Sequence, residues 1–217
     1  MKNYIIFGDS PFAERLAKYI LIEKKHKLLC FTQEDKFCSC NSILGLPDIP
    51  LSKLHETLNC EFEVLIAIGY SQMNTLRARM YNMLVKSGYK IGSWISCNAV
   101  VYSEKIGEGT IVLPNTTIGP GSELGKCNFF GSSVVLSHDN KVGDFNFFST
   151  NAVLGGSAVV QNHCFLGLNC TINSSISIAD NSLIGAAANI LANTESYGVY
   201  VGNPAKKLER ESIEVKI

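Results

Sequence analysis

The chain has 217 residues, of which 19 are basic and 19 acidic, and a formal charge of zero. That balance removes the electrostatic case for nucleic acid or an anionic membrane as partner. No basic leader precedes an apolar segment, and no apolar run approaches the roughly 18 residues of a membrane span, so a cytoplasmic protein with a small-molecule partner is expected.

The first 95 residues alternate between strand and helix signals. Tyr4 to Phe7 is an apolar run ended by Gly8, Phe12 to Lys25 is spaced as an amphipathic helix, and Leu28 to Phe31 is a second strand. A polar, Pro-containing loop follows, with Cys38 and Cys40 as a C-x-C that lacks the second pair or nearby His of a metal site. A short helix near Leu51–Leu58 leads to a third strand, Val64 to Ile68, ended by Gly69. Ser71 is placed to cap a helix running to about Ser87, where Gly88 stops it, and Ile91 to Ile95 supplies a fourth strand. The expected unit is a small parallel sheet with helices on its faces, Rossmann-like over residues 1–95. Ligands of such sheets sit at the carboxyl ends of the strands, here Gly8, Asp9 and Ser10, then Thr32 to Asp35, then Gly69 and Tyr70. A helix start after Ser10 suits a phosphate, although Gly8 alone is equally a simple turn glycine.

From Ile106 to Ile190 an aliphatic or Phe residue recurs at every sixth position, fifteen times. That beat fits neither a helix nor simple strand alternation and indicates a solenoid. The next residue is often Gly, the residue four places on is mostly small, and the residue three places on is Gly or Asn at 109, 115, 121, 151, 169, 181 and 193. Gly and Asn tolerate positive φ, so each hexad reads as a short strand plus a tight corner. Cys164 and Cys170 fall on small inward positions and Cys30 in a strand, where thiols pack as small apolar groups rather than disulfides.

These hexads resemble the hexapeptide-repeat acyltransferases, in which three hexads form one triangular coil of a left-handed parallel β-helix. The resemblance implies five coils, about 25 Å tall at strand spacing, over residues 96–217 including a C-terminal cap. The α/β unit followed by a prism is similar to the sugar acyltransferases that acetylate the amino group of a nucleotide-linked amino sugar, and to sialic acid O-acetyltransferases. The resemblance implies acetyl-CoA as co-substrate, no metal, and a homotrimer with active sites between neighbouring prisms. It assigns the nucleotide to Gly8, Ser10 and an acidic residue after the second strand, Glu34 or Asp35, while Asp9 and Gly69 are substrate candidates from their places at the strand ends. This chain departs from it in the first turn, where Pro11 and Phe12 stand for Gly and His.

The coil holds two histidines, His138 and His163, and corner counting puts them on different edges of the prism. The family keeps a catalytic His beside an acidic residue where Ser137-His138-Asp139 stands, so the resemblance makes His138 the general base and Asp139 its orienting carboxylate. On spacing alone, a corner His beside a chance Asp is as good a reading. His163 reads as a solvated corner or a subunit contact. An oxyanion donor is expected in the Gly155-Gly156 corner, which otherwise only turns the chain. The segment Val199 to Lys207 is similar to the Gly-x-Pro-Ala-Lys close of the family, which assigns Asn203, Pro204, Ala205 and Lys206 to the coenzyme, while a simple prism cap is compatible with the same residues; Gly185 and Ala186 in the coil are further coenzyme candidates. Phe129, Val135, Phe145 and Phe147 lie off the inward positions and are expected as exposed residues of a subunit interface, Phe147 where relatives carry a polar or His residue. Competing readings are sugar O-acetylation, a zinc carbonic anhydrase, which needs three histidines where the coil has two, and a non-catalytic scaffold.

Overall fold

The computed structural model describes residues 1–39 and 41–215, so Cys40 of the C-x-C lies outside it. The chain begins with β1 (Asn3–Phe7), α1 (Pro11–Glu23), β2 (Lys27–Gln33), β3 (Ser42–Ile43), β4 (Leu46–Pro50), α2 (Leu54–Thr57), β5 (Glu63–Ile66) and α3 (Thr75–Lys86). The sheet order is β3-β4-β2-β1-β5, parallel except for the β3–β4 pair. β1 and β5 are apolar on nearly every residue because both faces are covered. α1 starts at an N-cap, Ser10, whose Oγ accepts from Ala13 N, with proline at the first position, and its Ala13, Leu16, Ala17 and Ile20 stripe meets the sheet.

Three expectations for this unit fail. The Pro-containing loop carries β4, a parallel strand whose Pro47 and Pro50 conceal it from a propensity reading. The expected fourth strand divides: Ile91 makes a single parallel bridge to Val64, whereas Trp94 and Ile95 pair with Ile111 and Val112 and so belong to the prism. Ser71 caps nothing, because Gln72, Met73 and Asn74 all take positive φ (53°, 48° and 64°) and α3 starts only at Thr75. That left-handed turn is held by tertiary contacts: Met73 is buried beside Leu183 and Val199, and Asn74 Nδ2 donates to Cys164 O at 3.0 Å.

From Lys105 to Ile190 the chain winds through three parallel sheets of two-residue strands, with partners 18 residues apart, as Thr117 with Val135 and Val135 with Val153. Inward residues stack in columns, for example Phe130 on Phe148 with ring centroids 4.6 Å apart. The coil begins two hexads before Ile106. Ile95 and Val101 register with Val112 and Ile118, and a five-residue interval from Val101 to Ile106 breaks the sixfold beat there. Every corner from Gly109 to Ala187 places its third residue at positive φ, including Cys127, Asp139, Phe145 and His163. The coil imposes the turn, so residue type is a poor guide to it; Asn193 does not take the conformation and instead accepts from Ser177 N. Strand Gly198–Val201 adds to the last rung and pairs antiparallel with Lys206–Glu211, covering the open sheet edge.

The expected exposed aromatics are covered by the chain's own α/β unit. Phe129 and Phe147 are 7% and 6% exposed. Phe12 meets Phe129 edge-on at 4.9 Å, and Tyr70 meets Phe147 and Phe165, also at 4.9 Å. Phe145 packs under Tyr81, and Val135, on another face, remains half-buried. Buried Arg77 on α3 ties the two units together through carbonyls alone: Nε to Cys127 (3.1 Å), Nη1 to Ile68 and Gly69 (3.3 and 3.1 Å), and Nη2 to Phe145 and Asn146 (3.0 Å each). Burial lowers its pKa to about 10, and it remains charged at neutral pH.

Candidate active site

His138 and Asp139 occupy the corner that follows Val135–Leu136. The coil forces Asp139 to φ 56°, and its carboxylate turns back so that Oδ2 lies 2.8 Å from His138 Nδ1. Gly121, one coil below, makes room, since a Cβ there would collide with the Asp139 carboxylate. Both side chains face solvent, at 60% and 64% exposure. An Nδ1–H donated to the carboxylate leaves the Nε2 lone pair free, the tautomer a general base requires.

Gly156 lies one coil above His138, where a Cβ would collide with Nε2 and stand 2.6 Å from Cε1. Ser157 N donates to His138 O at 2.8 Å and fixes the stacking. The two glycines of this corner differ. Gly155 N donates to Ile172 O at 2.9 Å, and its missing Cβ admits the Ser174 backbone N at 2.6 Å, so Gly155 is a packing glycine. Among the described residues the Gly156 N–H has no acceptor. Of the two N–H groups in the corner where one donor is expected, only that of Gly156 is unengaged among the described residues.

His163 is not a solvated corner. It stacks on Phe145 at 5.3 Å inside the junction of the two units, and its Nδ1 is buried without a partner. Burial first, then the Arg77 charge, lowers its pKa, against a raising contribution from the Met73 backbone.

The nucleotide candidates fall into two places. Ser10 and Gly69 line a cleft of about 620 Å3 between the α/β unit and the prism, with Arg15, Tyr70, Phe165 and Thr150. Gly8, at φ 120°, closes the turn above it, where a Cβ would stand 3.0 Å from Ala67 O. Asp9 turns to Gln33, whose Nε2 lies 3.3 Å from its Oδ2. Glu34 and Asp35 instead border a separate hollow with Ser52 and Tyr89, and both Asp35 oxygens are taken by Ser52, from N at 3.1 Å and Oγ at 2.6 Å. That hydrogen bonding keeps the Asp35 carboxyl below its usual pKa.

The coenzyme candidates also divide. Gly185 and Ala186 turn the corner after Leu183–Ile184, one face away from Gly155 and Gly156, and a Cβ at Gly185 would stand 2.8 Å from Val201 Cγ1. Asn203 follows the last rung, its Oδ1 accepting from Asn189 Nδ2 at 3.1 Å; the Asn203–Pro204 bond is cis, and Ala205 N donates to Asn189 O. Lys207 pairs with Glu195 at 2.6 Å, whereas Lys206 is exposed with no ion pair among the described residues. Arg15, Tyr70 and Arg77 carried no motif signal; only their positions beside the strand ends and on helix faces hinted at a role.

No protein-family model matches the chain. Solved structures do match over nearly its whole length. The acetyltransferase domain of PglB from Neisseria gonorrhoeae superposes with TM-score 0.83 at 20% identity, covering 96% of this chain and 100% of that one. PerB from Caulobacter crescentus, solved with CoA and GDP-perosamine, gives 0.83 at 20%, covering 96% and 98%. WeeI from Acinetobacter baumannii gives 0.83 at 21%, covering 96% and 100%. The fold is the one these proteins share. Among the described residues no group of three or more His, Cys, Asp or Glu stands ready for a metal, and no helix is long and apolar enough to cross a membrane.

Proposed function

We propose that this chain, a Rossmann-like nucleotide-binding unit over residues 1–93 on a left-handed β-helix that begins at Trp94, transfers acetyl from acetyl-CoA to the amino group of a nucleotide-linked amino sugar. The observation that carries this reading is the oriented imidazole of His138, with Asp139 at 2.8 Å, beside the unengaged N–H of Gly156. The acetyltransferase domain of PglB was solved with acetyl-CoA, and a perosamine N-acetyltransferase from Caulobacter crescentus with CoA and GDP-perosamine, each matched over at least 98% of its own chain, which supports the chemistry.

In this mechanism Nε2 of His138 takes a proton from the sugar nitrogen as it attacks the thioester carbon. The Gly156 N–H donates to the oxyanion of the tetrahedral intermediate, and Asp139 stabilises the imidazolium. Collapse breaks the C–S bond, and the imidazolium returns its proton to the departing thiolate. CoA would lie along the Gly185-Ala186 corner and the Asn203–Lys206 turn, with Lys206 free for a phosphate. The cleft at Ser10 and Gly69 and the imidazole occupy different corners of one prism. A homotrimer, in which the cleft of one subunit faces His138 of the next, reconciles that separation. Buried thiols at Cys30, Cys164 and Cys170 suit the reducing cytoplasm.

The test is free-thiol release from acetyl-CoA with a panel of UDP-, dTDP- and GDP-linked amino sugars. Turnover on at least one amine is expected. Turnover only on sugar hydroxyls would overturn the N-acetyl reading.

A further inference from the structure

Resting on that reading, we infer that the cleft between the α/β unit and the prism holds the substrate's diphosphate on Arg15, with Phe12, Tyr70 and Phe165 forming an apolar wall for the sugar. Among the described residues Arg15 is the one charged side chain that lines the cleft. It lies one turn into α1, three and four residues past Phe12 and Pro11, so all three share the helix face turned to the cavity. The guanidinium is exposed and has no ion pair among the described residues; neighbouring Glu14 turns instead to Lys18 at 3.9 Å. A forked, permanently charged donor matches phosphate oxygens in pairs, and the first turn of α1 adds positive potential.

The wall is apolar for a stated structural reason. Phe129, Phe147 and Phe165 stack on consecutive coils at 4.6 and 5.7 Å, and Phe12 and Tyr70 meet the stack edge-on. Phe129 and Phe147 are consumed by that packing, whereas Phe12, Tyr70 and Phe165 are half-buried and keep surface for a ligand. Leu168, 56% exposed, borders the same space. The polar rim is hydroxyl: Ser10, Ser71, Ser149 and Thr150. An anion at one end, ring faces for the C–H side of a pyranose, and hydroxyls for orientation fit a sugar diphosphate. Asp35, the acidic reader the resemblance suggests, has its oxygens engaged by Ser52 in the other hollow.

CoA also carries a diphosphate, so the experiment separates the two sources. Isothermal titration of the full chain with UDP, GDP, their amino-sugar conjugates and CoA is compared for wild type, Arg15→Gln, Tyr70→Ala and Lys18→Gln. Arg15→Gln is expected to weaken UDP or GDP about tenfold or more, the effect of one charge-assisted contact, and to flatten the salt dependence, with CoA affinity unchanged. Tyr70→Ala weakens the sugar nucleotide more than the bare nucleotide, and Lys18→Gln leaves both as in wild type. Wild-type nucleotide affinity in Arg15→Gln, or loss of CoA in place of UDP and GDP, would overturn the inference. Acetyl transfer with an unchanged KM in Arg15→Gln defeats this assignment and leaves the activity standing; Arg15-dependent nucleotide binding without transfer defeats the activity alone.

Discussion

Gly156→Ala separates the chemistry of the His138 corner from its folding. The added methyl would stand 2.6 Å from His138 Cε1, against an ordinary carbon–carbon contact of about 3.5–4.0 Å, so the ring must retreat by about 1 Å. Retreat breaks the 2.8 Å contact with Asp139. A misplacement of that size costs about 10²-fold in rate, or about 2.7 kcal/mol of barrier. Stability changes by less than about 1 kcal/mol, because the glycine is not in the left-handed region and the colliding group is the mobile end of an exposed side chain. Gly155→Ala does the reverse, since its methyl meets the Ser174 backbone N at 2.6 Å. Thiol-release kinetics and thermal melts of the two variants form the assay. A Gly156→Ala protein with the wild-type kcat would refute the placement of the imidazole, and one that fails to fold would refute the energetic argument.

Other outcomes follow from the junction of the two units. Arg77→Met leaves the carbonyls of Ile68, Gly69, Cys127 and Phe145 without a donor among the described residues, while Asn146 O keeps Phe129 N, and is expected to cost about 3 kcal/mol or more, seen as a fall in Tm of about 6–12 °C. Phe147→Ala opens a cavity in the ring stack and costs about 3–5 kcal/mol in chemical denaturation. His163 has a folded pKa below its ordinary 6.5, so the unfolded chain binds the proton first and stability falls as pH drops through 6.5 toward the folded value. In His163→Phe that slope is expected to shrink when melts are compared between pH 7.5 and 5.5.

The prism was legible because an inward column demands the same kind of residue at every sixth position, and no other packing repeats that way. Its first two hexads were not, since the five-residue interval before Ile106 breaks the beat while preserving the stack. Outward aromatics such as Phe129 and Phe147 were misread for a related reason: periodicity tells which side of a strand faces the prism interior, but not that another unit of the same chain covers the far side. The adjacency of His138 and Asp139 stood in the sequence, whereas the free Gly156 N–H and the engaged Gly155 N–H became distinguishable only through pairing across coils. Glu34 and Asp35 follow β2 as expected, yet β4, concealed by its prolines, brings Ser52 to Asp35 and turns that carboxylate away from Ser10.

The most direct test is the rate of acetyl transfer by His138→Asn at saturating acetyl-CoA, alongside its affinity for the sugar nucleotide. Loss of a general base predicts a fall in kcat of about 10²–10⁴-fold with binding intact. An Asn variant that turns over as fast as the wild type would contradict the role of the imidazole.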